Sequence, residues 1–233
     1  MSCVDARASS PGRLADLAVL VSVRPKWCKK IFDGDKLVEI RKTRPNLEPP
    51  FKLYIYCTKP SKKSQTVSGS MVINTDELFH LPNGTMKHDW SGELMVYPSE
   101  TWSADNFLNG KVIGEVICSK ISAFHICEWF KNGCVQVLES AGLYKSCLTY
   151  EDVSAYVGIG KTGYAWHLTN MILYDAPKSL RAFHRPCANS LFCESCGMFN
   201  FHPDPGFCGN AALQIKRPPQ SWCYVEPLYE DSH

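Results

Sequence analysis

Three charged side chains lie within six residues near the start of the chain, in the segment Gly34-Asp35-Lys36-Leu37-Val38-Glu39-Ile40-Arg41. Glu39 and Arg41 are two residues apart, so an extended strand would direct both side chains to the same face. An ammonium, a carboxylate and a guanidinium brought together beside a core would form a polar site. The alternative is a solvated strand face with one surface ion pair, which contributes little to stability.

The elements around this segment can be predicted from its flanks. Leu17 to Val23 is an aliphatic run short enough for a buried strand, and Pro25 suits the first position of a helix. Gly34 suits the end of that helix, because glycine accepts the left-handed conformation at low cost. Leu37 to Lys42 and the aromatic-rich run Phe51 to Cys57 alternate as strands.

The rest of the chain adds strands and one clear helix. Thr149, followed by Asp152 three residues later, predicts a helix start, and Gly158 would end that helix. Glu115 is a carboxylate within an otherwise apolar strand, although a charge on the solvent face is the more common arrangement. These further strands are predicted at Lys111 to Ile121, Tyr164 to Tyr174 and Ser221 to Val225. The pattern indicates an α+β, mainly β fold, with a small barrel and peripheral helices.

The charge distribution is uneven along the 233 residues. Residues 1–63 contain fourteen Lys and Arg against six Asp and Glu, a net +8, whereas the whole chain carries only +2. A basic first quarter is what a polyanionic partner requires. The sequence contains no run of about 18 apolar residues, so we expect no membrane-spanning helix. Asp5 and Asp16 also disfavour a signal peptide, so we expect a cytoplasmic protein.

Four of the twelve cysteines fall within twenty-two positions. Cys193-Glu194-Ser195-Cys196-Gly197 is a C-x-x-C-G knuckle, and Cys208-Gly209 repeats its Cys-Gly half. Four thiolates complete tetrahedral zinc and leave no position for a substrate, so the pattern predicts a structural zinc. His184 or His202 could replace one cysteine, and unliganded thiols in a loop are the alternative. The predicted metal ligands are Cys187, Cys193, Cys196 and Cys208.

The G-x-K-x-x-E-x-R pattern of Gly34, Lys36, Glu39 and Arg41 resembles the ASCH family, whose fold is similar to that of PUA domains. Further blocks in the same order resemble bacterial and phage ASCH proteins, over roughly residues 18–226. These blocks are Ser22 to Trp27, Gly114-Glu115-Val116, Gly163 to His167 and Pro218 to Glu226. The resemblance implies a PUA-like β-barrel with a cleft beside the motif that receives RNA or a modified nucleoside.

The resemblance and the composition along the chain together predict a domain organisation. We expect one ASCH domain over residues 17–226, with a disordered leader at 1–16 and a tail at 227–233. Insertions are predicted at about 60–109, 126–160 and 184–212. The first would contain one hairpin, and the last is the cysteine-rich, zinc-knuckle-like loop.

Basic residues around the motif could neutralise phosphates, which would make binding sensitive to salt. The predicted ligand-binding residues are Lys26, Lys29, Lys30, Lys36, Glu39, Arg41, Lys42 and Arg44. An unpaired base could stack on Trp27, Tyr54, Tyr56 or Trp166. Core packing is the alternative for each aromatic, and it is the stronger expectation for Trp27 and Trp166.

Two other functions are compatible with the sequence. Some small ASCH proteins resemble N4-acylcytidine amidohydrolases that use a lysine, a threonine three residues later and a downstream glutamate. Lys36 and Glu115 correspond to two of these, but Glu39 occupies the threonine position, so the nucleophile is absent. The first alternative is therefore a hydrolase of this kind, or a ribonuclease, using Lys36, Glu39 and Glu115. The second is a protein-interaction adaptor that binds through the insertions at 60–109 and 126–160.

Overall fold

The computed structural model describes residues 17–59, 65–67, 70–74, 94–98, 108–126, 141–186 and 212–228. The strands are β1 (Ala18–Val23), β2 (Val38–Arg41), β3 (Phe51–Cys57), β4 (Gln65–Val67), β5 (Ser70–Asn74), β6 (Leu94–Pro98), β7 (Val112–His125), β8 (Thr162–Lys178) and β9 (Trp222–Val225). The helices are α1 (Pro25–Phe32) and α2 (Tyr150–Val157), and short 3₁₀ turns cover Leu143–Ser146 and Leu180–Ala182.

Six strands form one mixed sheet in the order β2-β8-β7-β3-β1-β9. β1 runs parallel to β3, and the other neighbouring strands are antiparallel. The mainly β class of the prediction is confirmed. Strand pairing within the described residues leaves β2 and β9 at the two edges, so the predicted closed barrel is not confirmed.

Side chains nevertheless connect the two edges of this sheet. The indole Nε1 of Trp222, in β9, donates to Thr43 Oγ1 at 3.0 Å, just beyond the end of β2. The backbone N–H of Asn46 donates to the Tyr224 hydroxyl at 2.7 Å. The sheet is therefore curled enough for the segment after β2 to reach β9.

The main core lies inside this curled sheet. Because successive strand residues point to opposite faces, Leu53 and Ile55 of β3 enter this core while Tyr54 and Tyr56 face the other side. The main core also includes Val19, Val21, Ile31, Val116, Trp166 and Leu168. A second cluster joins β2 to α2 and the turn before it, through Val38, Ile40, Phe124, Leu143, Val153 and Val157.

Helix α1 packs on the sheet as its sequence predicts. It begins at Pro25, and Gly34 just beyond its end has a φ of +83°, in the left-handed region that favours glycine. Gly114 in β7 admits the helix, because a Cβ at that position would lie 2.7 Å from Cζ of Phe32 and 2.3 Å from the Ile172 carbonyl oxygen. The absence of a side chain at Gly114 therefore allows α1 to pack close to the sheet.

Helix α2 also begins as predicted. Thr149 Oγ1 accepts from the backbone N–H of Asp152, and the Asp152 carboxylate accepts from the backbone N–H of Thr149, both at 3.1 Å. The shorter aspartate thus completes a capping box where glutamate is more usual. Gly158 follows the last residue of the helix and ends it, as expected.

Two predictions of strand extent were too short. β7 continues to His125 and β8 to Lys178, because register shifts interrupt the alternation that marks a strand in the sequence. The insertion predicted at 60–109 holds β4, β5 and β6 as a three-stranded antiparallel sheet rather than one hairpin. Within the described ranges, no helix is both long enough and apolar enough to cross a membrane.

Candidate functional site

The side chain of Lys36 is buried immediately after α1. The backbone N–H of Lys36 donates to the carbonyl of Lys30 at 2.9 Å, which fixes the turn at the end of the helix. The residue is only 1% exposed, and its ammonium donates to the carbonyls of Val38 at 2.9 Å and Ser146 at 2.6 Å. Two backbone oxygens from distant parts of the chain therefore receive this one cation.

Glu39 connects the other two charges of the motif. Its Oε2 lies 3.3 Å from the Lys36 ammonium, and its Oε1 lies 2.9 Å from Nη2 of Arg41. Glu39 is 8% exposed, and its neighbour across the β2–β8 ladder is Trp166. Lys36, Glu39 and Arg41 thus form a continuous buried ionic cluster, named the motif cluster below.

Arg41 anchors this cluster to the opposite edge of the sheet. Its Nη2 donates to the Ser22 carbonyl at 2.7 Å, and its Nη1 lies 3.3 Å from Ser221 Oγ and 3.4 Å from the Ser221 carbonyl. The residue is 6% exposed. Its Nε is buried and has no hydrogen-bond partner among the described residues. The guanidinium therefore joins β2 to the end of β1 and to the start of β9.

Burial decides between the two interpretations of the motif. A solvated strand face would leave these side chains exposed, but the three are almost completely withdrawn from water. Taking charges out of water is costly unless each is paired and hydrogen-bonded, as these are. The interpretation as a surface ion pair is therefore wrong for this motif.

Trp27 is the aromatic residue that connects the motif cluster with the surface. Its half-buried ring lies 5.2 Å from the Lys36 ammonium and 4.8 Å from the ammonium of Lys26, which is exposed. The other aromatics predicted to stack on a base, Tyr54, Tyr56 and Trp166, are buried in the core. The expectation that Trp27 is also a core residue is only half met, because Trp27 packs against the core but is only partly buried.

Trp166 packs behind the motif cluster. Its ring makes an edge contact with Phe51, with centroids 6.3 Å apart, and a tilted contact with Trp222 at 6.0 Å. Its Nε1 is buried without a hydrogen-bond partner among the described residues, as is Nε of Arg41. Both groups are N–H donors. Among the buried side chains that the structure describes, the unpaired polar atoms are therefore donors that lack an acceptor.

The predicted basic residues lie mainly on the surface. Lys29 forms an ion pair with Asp33 within α1, and the Lys42 ammonium lies 5.1 Å from the ring centroid of Tyr156 in α2. Lys30 is half-buried. The exposed members of the predicted set are Lys26, Lys29, Lys42 and Arg44. They precede and follow the buried motif cluster in the chain.

Glu115 lies away from the motif cluster. It sits opposite Tyr54 in the β3–β7 ladder, and Tyr54 belongs to the face of the sheet that points away from Trp166. Its carboxylate accepts from the Tyr174 hydroxyl at 2.7 Å and pairs with the Lys52 ammonium at 2.8 Å. The structure does not bring Glu115 together with Lys36 and Glu39.

The cysteines predicted to bind zinc, Cys187, Cys193, Cys196 and Cys208, lie outside the described residues, as does His202. The segments that flank them are paired: the N–H of Arg185 donates to the Leu213 carbonyl at 2.8 Å, and His184 forms a bridge with Gln214. The part of the chain that the structure describes contains no cluster of three or more potential metal ligands.

Backbone carbonyls are the contribution that sequence reasoning missed. The motif cluster depends on the carbonyls of Ser22, Ser146 and Val38, with Ser221 as a further partner. Every residue has a carbonyl, so no residue type marks these positions. Ser22 and Ser221 lie in blocks that carry the ASCH resemblance, which is the one sequence signal that points to them.

Comparisons with known proteins give structural similarity alone. No family model matches the chain, and no curated protein matches it. An ASCH structure from Zymomonas mobilis is similar, with 15% identity, a TM-score of 0.44, and coverage of 89% of this chain and 86% of that chain. Two mutant proteins of the same ASCH give TM-scores of 0.41 and 0.45, also at 15% identity; they cover 70% and 90% of this chain, and 76% and 89% of their own.

These solved structures carry the same family name that the sequence motifs indicate. At 15% identity and with TM-scores below 0.5, the similarity assigns no role to any residue. The chemistry of the motif cluster therefore rests on the contacts of this chain.

Proposed function

We propose that this protein binds RNA, taking an unpaired or modified nucleotide at the surface formed by Trp27 and the motif cluster. The observation that carries the proposal is the position of Trp27. Its half-buried ring contacts the buried Lys36 ammonium on one hand and the exposed Lys26 ammonium on the other, at 5.2 and 4.8 Å.

Such an arrangement supplies the two interactions that single-stranded nucleic acids need. A base stacking on Trp27 would gain about 1–3 kcal/mol, and it would take the place of the Lys26 ammonium on the ring. Lys26 would then contact a phosphate, as would the exposed Lys29, Lys42 and Arg44. The unmet Arg41 Nε donor lies in the motif cluster and would suit an acceptor-rich ligand.

The test is a titration of labelled single-stranded RNA and matched DNA at two salt concentrations. Trp27→Leu should weaken RNA binding about 5- to 160-fold, which corresponds to the loss of one stacked base worth about 1–3 kcal/mol. Lys26→Ala should weaken binding and reduce the salt slope by about one, because one phosphate contact is lost. Arg41→Ala should also weaken binding, but it removes buried contacts, so its urea unfolding must be measured beside its affinity.

Lys216→Ala is the matched control for Lys26→Ala, because Lys216 is an exposed lysine that precedes β9. Its affinity and salt slope should stay at the wild-type values. RNA binding that is insensitive to salt, or that Trp27→Leu and Lys216→Ala leave equally strong, would contradict the proposal.

The hydrolase alternative has less support in the described residues. It requires Lys36 and Glu115 at one site, but Glu115 pairs with Lys52 and Tyr174 on the far face of the sheet. Release of cytidine from N4-acetylcytidine by the wild-type protein, lost in Lys36→Ala, would restore this alternative.

We also propose a structural zinc held by Cys187, Cys193, Cys196 and Cys208. The segments before and after the cysteines support this proposal. They are hydrogen-bonded to each other between Arg185 and Leu213, so the two ends of the cysteine-containing region lie close together. Metal analysis should find one zinc per chain, and Cys193→Ser should lose it and destabilise the fold. A metal-free wild-type protein with unchanged stability in Cys193→Ser would exclude the zinc.

A further inference from the structure

A second polar group lies around His167, on the face of β8 opposite to Trp166. The Nε2 of His167 lies 3.0 Å from Ser122 Oγ, in the neighbouring strand β7. Lys120 is the cross-strand neighbour of His167 in the same ladder, and Lys120 and Ser122 are two residues apart, so they share a face. Three polar side chains from two strands therefore meet at one place.

The 3₁₀ turn Leu143–Ser146 closes over this group. A Cβ on Gly142, the residue before the turn, would lie 3.1 Å from Cε1 of His167, so the backbone passes directly beside the imidazole. The N–H of Lys145 donates to the Gly142 carbonyl at 3.1 Å, so this lysine belongs to the turn beside the ring, and its positive charge acts on the imidazole. The imidazole therefore experiences the positive charge of one lysine from β7 and of another from the turn.

The charged residues that act on the His167 imidazole are both positive. Burial, and then the positive charges of Lys120 and Lys145, lower the pKa of His167 from its ordinary value, so the imidazole is neutral at pH 7. Both lysines are exposed, and neither forms an ion pair with another described residue. Both positive charges disfavour the imidazolium form of His167, and a bound anion would offset them.

We propose that Lys120, Lys145, His167 and Ser122 form a binding site for a phosphate group. The two lysines supply charge, while the imidazole and the hydroxyl supply directed hydrogen bonds to the phosphate oxygens. Tyr144 is 65% exposed, and its ring lies 5.6 Å from the Lys145 ammonium, so a base attached to that phosphate has an aromatic face beside it. The phosphate could belong to a nucleic acid or be free inorganic phosphate.

This site does not depend on the proposed RNA-binding function, but the two share one element. The Ser146 carbonyl at the end of the turn receives the Lys36 ammonium, and the Lys145 carbonyl accepts from the N–H of Leu37 at 2.9 Å. Occupation of the phosphate site would therefore fix the turn that completes the motif cluster.

The test is a pH titration of the His167 imidazole in phosphate-free buffer, monitored by proton NMR. The His167 resonance is assigned by its loss in His167→Gln. Inorganic phosphate should raise the midpoint of the titration, because the anion favours the imidazolium. A short 5′-phosphorylated RNA should raise it in a separate arm. A response to inorganic phosphate supports a general phosphate site, and a response to the RNA alone supports a nucleic-acid phosphate site.

Lys145→Ala should raise the midpoint without any ligand, because one repelling charge is removed, and it should also abolish the response to phosphate. Lys216→Ala is the control and should respond as the wild type does. A midpoint that neither inorganic phosphate nor RNA moves would overturn the site. An equal response in Lys145→Ala and the wild type would overturn it as well. Trp27→Leu should leave the phosphate response intact, so a failure of the RNA-binding proposal would be distinguished from a failure of this one.

Discussion

Two glutamates of the same sheet are each held between a lysine and a second donor, and they differ in the burial of their partners. Glu39 lies between Lys36 and Arg41, whose side chains are 1% and 8% exposed. Glu115 lies between Lys52, whose side chain is 31% exposed, and the Tyr174 hydroxyl. The direct contacts are similar, but only the Lys52 ammonium can turn to water.

The difference shows what the motif cluster does for the fold. Each charged group around Glu39 also bonds to a backbone carbonyl: Lys36 to that of Ser146, and Arg41 to that of Ser22. The cluster therefore connects β2 to β1, to the 3₁₀ turn and to the start of β9. The contacts of Glu115 join only three strands that are already adjacent in the sheet, β3, β7 and β8. The motif cluster therefore links parts of the fold that are distant in the chain, in addition to any contribution it makes to stability.

The largest expected effect comes from the isosteric change Glu39→Gln. It leaves two buried cations without their carboxylate and should lower the free energy of unfolding by about 3–5 kcal/mol. Glu115→Gln is the matched change, and it should cost less than about 1 kcal/mol, because Lys52 can regain water. Urea unfolding of both variants measures the difference. Equal losses of unfolding free energy in the two variants would mean that burial of the charged partners does not determine how much each glutamate stabilises the fold.

The coupling between each glutamate and its lysine should differ in the same direction. In a double-mutant cycle of Lys36→Met and Glu39→Gln, we expect a coupling free energy of about 2 kcal/mol. The corresponding cycle of Lys52→Met and Glu115→Gln should give about 0.5 kcal/mol. The double variant Lys36→Met/Glu39→Gln should also have a higher free energy of unfolding than Glu39→Gln alone, because it removes one of the two uncompensated cations. A larger coupling for the Glu115 pair would reverse the comparison.

Much of the local structure could be predicted from the sequence, because local rules determine it. β3 occupies Phe51–Cys57 as predicted, α1 begins at Pro25, and Thr149 caps α2. Closure of the sheet is a long-range property, and the alternation of a strand carries no information about which strand it pairs with. The number of strands and the family resemblance both suggested a barrel, but neither could show which strands pair at the edges. In the structure, side-chain contacts such as Trp222 with Thr43 connect the edges.

The site could be predicted only in part, for a related reason. The spacing of Lys36, Glu39 and Arg41 indicated that they meet, but it could not distinguish a buried network from a surface pair. That distinction depends on the carbonyls that receive the cations, and a carbonyl leaves no signature in the sequence. Glu115 illustrates the converse case: its position in an apolar strand was visible, yet the side of the sheet it occupies depends on the register with β3.

A smaller effect is expected for the second donor to Glu115. Tyr174→Phe removes a hydroxyl that donates to Glu115 at 2.7 Å and should cost about 1 kcal/mol of unfolding free energy. The RNA affinity should not change, because Tyr174 and Glu115 lie on the face of the sheet away from Trp27 and the motif cluster. Urea unfolding and the RNA titration check the two statements separately. A loss of RNA affinity with unchanged stability would place this face in the binding surface.

The smallest effect, and the most specific, is the response of the two couplings to salt. Raising the ionic strength from 0.1 M to 1 M shortens the Debye length from about 10 Å to about 3 Å. The partly exposed Lys52–Glu115 pair should then lose most of its small coupling, because ions can approach the Lys52 ammonium. The Lys36–Glu39 coupling should persist, because both side chains are shielded from solvent ions. Both double-mutant cycles, repeated at the two salt concentrations, provide the measurement, and a common denaturant series removes the general effect of salt on folding. If the Lys36–Glu39 coupling also disappeared at high salt, the ammonium would have to be reached by ions. The motif cluster would then be open to solvent for part of the time.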